Sequence, residues 1–342
     1  MQRNGAGAVY LNVFHPDIIN FLATKKENAD EKVRIKTLSM GLVLPDKFYE
    51  LVGNDDYMYL FSPYDVEREY GKPFSYINIT EEYDNLVENK SITKSRIKAR
   101  QLNDEISKLQ QEAGYPYIIN EDTVNLANAG AGKVIMSNLC SEILQEHVPS
   151  KLNRDLSYSE VGQDISCNLG STVISNMMDS GKEFGDKVEL MMRALTKVSM
   201  STSIEEVPTI KKGNDLTHSV GLGAMGLHSY LADMEIMYGD EQSKDFTNMY
   251  FLLLNYYSLK ASNKLSKEAG NSYYGFENST YASGEYFDTY LANNDLAPRT
   301  ERVAELFEDI HIPTVEDWRQ LQQEVQAFGL FNKYRMALAP YR

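Results

Sequence analysis

Cysteine is nearly absent from this chain: there are two in 342 residues. That is too few for a disulfide framework, so the expected setting is reducing and cytoplasmic. Positive charge is also scarce, with 34 Lys and Arg against 49 Asp and Glu, a net charge of −15. A general binder of nucleic acid or anionic membrane needs a basic surface, so neither partner is expected. Single nucleotides remain possible ligands, because a few local donors can hold them. No apolar run approaches the roughly 18–20 residues that span a bilayer. The opening MQRNGAGAVYLN lacks the basic, apolar and small-residue order of a secretory signal. Internal repeats and low-complexity segments are lacking too.

What is present suits a sizeable core, with 42% hydrophobic and 24% charged residues. The length allows one large domain or two ordinary ones. Extended and helical patterns alternate. Strands are expected at 7–14, 37–44, 57–63, 115–120, 165–174 and 334–340. A helix follows His15-Pro16, another follows Pro45, and SITKSRIKARQLNDEISKLQQEA (91–113) reads as one long amphipathic helix. Further helices are expected at 183–202, 221–233, 242–269, 283–292, 298–308 and 314–328. Loops are expected at 144–160 and 271–282. The order of elements points to an α/β architecture with a largely parallel sheet or barrel. Both ends look abrupt, since the chain opens in a glycine-bearing loop and stops just after Ala339-Pro340. The expectation is a piece of something longer.

In IMSNLCSEIL, Asn138, Cys140 and Glu142 occupy every second position. On an extended backbone the three would share one face. A carboxylate can take a proton, an amide can orient a hydroxyl and a thiol can react. The same pattern suits a structural cysteine on an ordinary strand with solvated polar neighbours. The anionic Glu142 disfavours a simple low-pKa thiolate nucleophile, whereas one-electron thiol chemistry needs no thiolate. Cys167, in ISCNLGST, follows 27 residues later and also reads as a small core residue. Two cysteines at that distance and five scattered histidines match no metal spacing, so no metal is expected. GLGAMG (221–226) formally matches GxGxxG, but no convincing strand precedes it, and glycines packing at a helix start fit better. Arg3-Asn4-Gly5-Ala6-Gly7 suits either a loop whose backbone approaches a ligand or a frayed end.

At NLCSEI the chain resembles the active-site finger loop (about 136–144) of the ribonucleotide reductase large, catalytic subunit. QRNGAGAVYLNVFHPDI, TKKENADEKVRIKTLSMG, YLFSPYDVEREYGKPF, EAGYPYIIN, ISCNLGST and HSVGLGAMGLHSYL extend the resemblance, to the class Ib form, over essentially all 342 residues. It implies a single, partial domain over 1–342, part of a ten-stranded α/β barrel with the finger loop through its centre. It implies radical-based reduction of ribonucleoside diphosphates to deoxyribonucleotides. Cys140 would be the thiyl that abstracts the ribose 3′ hydrogen, Glu142 would take the 3′-hydroxyl proton, and Asn138 would bind substrate hydroxyls. Cys167 would be one of two thiols that reduce the 2′ position and end as a disulfide. Arg3, Asn4, Gly5, Ala6 and Gly7 match the specificity loop that couples a bound nucleotide effector to substrate choice.

The resemblance also implies partners: a metal-containing small subunit that supplies the radical, a thioredoxin- or glutaredoxin-like reductant, and a second copy in a homodimer. The family's other reducing cysteine, most of its effector site, its phosphate-binding loop, its radical-delivering tyrosines and its C-terminal cysteines lie outside these residues. An interrupted or split gene, of the kind common in phages, is the expectation, with activity only once the missing segments are joined or assembled. The alternative is a non-catalytic remnant or a subunit that binds reductase components.

Overall fold

The apolar run LSMGLVL becomes the middle strand of a parallel sheet, and Pro45 ends it. Pro45 has no N–H for the ladder, and at φ −65° it instead caps the helix that follows. The computed structural model describes residues 5–292 and 296–339. The chain divides into two compact units, one of residues 1–128 and 133–146, the other of 129–132 and 147–342.

The first unit runs β1 (Gly7–Asn12), α1 (Ile18–Ala23), β2 (Leu38–Leu44), α2 (Asp46–Gly53), β3 (Tyr57–Phe61), α3 (Pro63–Tyr70), α4 (Ile79–Glu88), β4 (Lys94–Lys98), α5 (Ala99–Ala113), β5 (Tyr117–Asn120) and α6 (Glu121–Ala127). Strands β1, β2 and β5 form the parallel sheet, in that order. Side chains alternate across it. Leu11, Leu42, Leu44 and Ile118 face a helical layer that includes Phe48, Leu51, Leu102, Ile106 and Leu109. Leu42 and Phe48 are wholly buried, and burying each such side chain contributes about 1.5–3 kcal/mol. The alternate positions Tyr10, Asn12, Ser39, Gly41 and Tyr117 turn to the other face.

The long helix expected over 91–113 begins only at Ala99. Residues 94–98 pair antiparallel with β3 instead, Tyr57 opposite Lys98 and Tyr59 opposite Arg96. Arg96 and Lys98 lie 4.7 and 4.4 Å from the Tyr57 ring centroid. Strand pairing and these cation–π contacts outweigh the local helical pattern.

The second unit contains β6 (Lys151–Leu152), β7 (Tyr158–Glu160), β8 (Leu169–Val173), α7 (Ile174–Met178), α8 (Phe184–Ser201), α9 (Pro208–Thr217), β9 (Gly221–Met225), α10 (Leu227–Asp233), α11 (Glu241–Ala269), α12 (Thr280–Ser283), α13 (Asp288–Ala292), α14 (Glu301–Leu306) and α15 (Val315–Phe328). Helix α11 is its spine: Phe246, Met249, Tyr250, Leu253 and Leu254 are fully buried among residues of α7, α8, α10 and α14. Thr172 on β8 donates to Gly223 O (3.0 Å) and meets the Tyr250 hydroxyl at 2.8 Å, which ties the strand pair to this helix. Trp318 on α15 is fully buried and stacks on Tyr290 with centroids 3.9 Å apart.

Several expected elements shift. Residues 165–168 precede β8 rather than belonging to it. The segment 221–225 is a strand, parallel to β8, and the helix starts after it. Its glycines do serve packing: a Cβ on Gly223 would lie 2.4 Å from Ala337 O, and Gly226 turns the chain at φ +83°. Residues 334–337 run beside β9 with three backbone hydrogen bonds, but only Met336 forms a bridge, to Leu222. The 144–160 loop holds the short β6–β7 hairpin. Among the described residues, five strands lie in parallel sheets with helices packed against them, the α/β class expected. No helix among them is long and apolar enough to cross a membrane.

Candidate active site

The chain leaves α6 through a tightly pinned segment. Asn125 pairs with Val134 both ways, accepting from Val134 N at 2.8 Å and donating to Val134 O at 3.0 Å. Lys133 reaches the buried Glu121 at 2.6 Å and also donates to Ile77 O. Burial pushes the Glu121 carboxyl up from its ordinary value, and the Lys133 ammonium opposes that shift. Val134 and Ile135 are buried, and so is Ile143 beyond the loop.

Between these anchors the chain does not run extended. Leu139 and Cys140 form a turn, and Ser141 sits at φ +67°. Ser141 N donates to Asn138 O (3.2 Å), and Ile143 N donates to Asn138 Oδ1 (3.1 Å). Asn138 N donates back to Ile143 O at 3.4 Å. Asn138, Cys140 and Glu142 therefore do not share the face of a strand, contrary to expectation, because the backbone turns between them. They share one six-residue turn, closed by the Asn138 side chain, which accepts from the backbone N–H five residues on. Cys140 is exposed, while Asn138 and Glu142 are half-buried.

Tyr10 reaches this turn from β1. Its hydroxyl lies 2.6 Å from Ser137 Oγ, 3.2 Å from Ser141 Oγ and 3.4 Å from Asn138 O. Tyr117 stands in the same cross-strand row, with Gly41 between them. The Tyr117 hydroxyl is pushed up from its ordinary value, first by burial and then by the Tyr115 hydroxyl, with the Cys140 thiol adding to it. The thiol thus lies within electrostatic range of the sheet's polar face. Sequence reasoning missed Tyr10, Gly41, Tyr117, Ser137 and Ser141. A lone glycine inside an apolar strand was the available signal of a close approach.

Cys167 belongs to the second unit, is exposed, and precedes β8 by two residues. Gly5 and Ala6 are exposed and Gly7 begins β1. Arg3 and Asn4 fall outside the described residues. Among the described residues, no group of three His, Cys, Asp or Glu side chains gathers to hold a metal ion.

Known proteins place the turn in context. The chain is 49% identical over 343 residues to the ribonucleoside-diphosphate reductase subunit alpha of Mycoplasma genitalium, covering 99% of this chain and 47% of that protein. It is 45% identical over 341 residues to the subunit of the same name from Bacillus subtilis, covering 99% and 48%. A 206-residue match at 43% identity to the nrdEB subunit alpha of Bacillus phage SPbeta covers 60% of this chain and 19% of that one. The chain thus spans about half the length of the first two relatives. The family model described as ribonucleotide reductase, barrel domain, matches residues 1–342. A match along the whole length, with relatives near half identity, decides the question: this chain belongs to the ribonucleotide reductase barrel-domain family.

Proposed function

We propose that this chain is the central segment of a ribonucleoside-diphosphate reductase catalytic subunit, of the class Ib form, and that residues 1–342 are part of one barrel domain. The observation that carries the reading is the closed turn with an exposed Cys140 between Asn138 and Glu142. One-electron chemistry suits this thiol, which has a carboxylate rather than a cation two residues away. In this reading Cys140 is the thiyl that takes the ribose 3′ hydrogen. Glu142 accepts the 3′-hydroxyl proton and Asn138 binds the substrate hydroxyls. Cys167 reduces the 2′ position together with a second thiol and ends as half of a disulfide. Since Cys140 is the only other cysteine here, that second thiol lies beyond these residues. Residues Arg3, Asn4, Gly5, Ala6 and Gly7 form the loop that links a nucleotide effector to substrate choice.

The partners follow from the same reading: a ribonucleoside diphosphate, the remaining segments of the large subunit, a small subunit whose metal supplies the radical, a thioredoxin- or glutaredoxin-like reductant, and a second copy. The enzyme is cytoplasmic. The test is turnover of the complete assembly carrying Cys140→Ser. Ribonucleoside diphosphate reduction falls to background if the reading is right. Undiminished reduction would instead make the chain a binding component.

A further inference from the structure

The hydroxyl of Tyr10, on the parallel sheet, lies within hydrogen-bond distance of both arms of the 137–141 turn. A tyrosine hydroxyl has one proton to give and two lone pairs. The proton and one lone pair are used when Tyr10 donates to Ser137 Oγ, Ser137 donates to Asn138 O (3.0 Å) and Ser141 donates to Tyr10; Asn138 O, at 3.4 Å, is the alternative acceptor for the Tyr10 proton. Ser137 is buried while Tyr10, Asn138 and Ser141 are half-buried, so the bonds made by Ser137 count for more than they would in water. The ring has a built seat. Gly41 is its register partner on β2, and a Cβ added there would fall 2.2 Å from Tyr10 Cε1. The ring therefore lies across the strand in space that only a glycine leaves open. Ser141, held at φ +67°, occupies a backbone region that costs a non-glycine residue of order 1 kcal/mol or more. Outside bonds are needed to hold it there.

We propose that Tyr10, seated on Gly41, is a positioning residue that locks the turn carrying Asn138, Cys140 and Glu142. The assignment of those three as the reacting set rests on the function proposed above; the lock does not. Tyr10 touches neighbours of the thiol rather than the thiol itself, so it sets where Cys140 stands. With the lock in place the turn is preorganised before substrate arrives, and a reactive thiol is not left to wander in solvent.

The test reads the turn directly in the 342-residue chain. Tyr10→Phe keeps the ring and removes only the hydroxyl. Amide hydrogen exchange at Ser141 and Ile143 should speed up about five- to tenfold, the effect of losing a typical hydrogen bond. Alkylation of Cys140 by iodoacetamide should change by a similar factor, while Cys167 in the same sample keeps its rate. A purely structural role for the ring predicts no change at any of these sites, because phenylalanine fills the same seat. Ser141→Ala, which removes one contact from the turn side, should reproduce the exchange result. Unchanged exchange and alkylation in both variants would overturn the proposal. In the complete reductase, Tyr10→Phe should lower kcat more than it raises KM. If reduction there proves independent of Cys140, the functional reading fails, while the exchange data still decide the lock.

Discussion

Gly41 shows how much one hydrogen atom in place of a methyl can decide. The residue lies in the middle of an otherwise apolar strand, and its missing side chain is where Tyr10 rests. Gly41→Ala forces a clash at 2.2 Å unless the ring moves, and the ring is held by its hydroxyl. The variant should lose about 1–3 kcal/mol of stability, the usual range for overpacking a filled site. Urea unfolding of the chain measures this. Tyr10→Leu added to Gly41→Ala should recover part of the loss, since the two residues are in contact and couple. Equal losses in the single and double variants would mean that the ring does not need the glycine.

At the scale of elements, local signals were right where the element is stabilised by its own face and wrong where a neighbour decides. Helix α15 is legible: Thr314 and Asp317 form a capping box, and Trp318, Leu321 and Val325 line its buried side. Strand β4 was not legible, because KSRIK is helix-compatible and only pairing with β3 makes it extended. The shape of the 138–143 turn was not legible, because it depends on Asn138 reaching across to Ile143 and on Tyr10 from a distant strand. Helix α3 offers a test of element stability against pH. Asp65 in its first turn is buried, accepts from the Thr93 N–H at 3.0 Å and faces Arg68 at 3.2 Å. Hydrogen bonds from the Thr93 hydroxyl and backbone, then from Ser62, with the Arg68 charge, hold its carboxyl below the usual carboxylate range. An unfolded aspartate titrates near about 3.9. The stabilisation is thus fully present above that value and is lost as pH falls through the lower folded value. Asp65→Asn should lower the melting temperature at pH 7, and the gap from the native chain should close towards pH 2–3. A gap that persists at low pH would show that the carboxylate charge is not what matters.

For the whole molecule, chemistry and chain length pull apart. In the proposed reading the two cysteines are one radical thiol and one reducing thiol, and a reducing disulfide needs two. The 342-residue chain mixed with a small subunit should therefore give no deoxyribonucleotide, and adding the remaining large-subunit segments should restore it. Product from the chain alone would sink the assignment of Cys167. What the sequence determined by itself was the kinship. NLCSEI and ISCNLGST carry the resemblance, and with it the reacting groups proposed here, because side-chain identity is written directly in the residues. The α/β class followed from apolar periodicity, which each segment carries alone. What only the tertiary structure decided was the geometry: that 138–143 is a turn and not a strand, that 94–98 is a strand and not a helix, and that Tyr10 rests on Gly41 over the turn. Each depends on particular hydrogen bonds and contacts, most of them between residues far apart in the chain, and such pairings have no period to read.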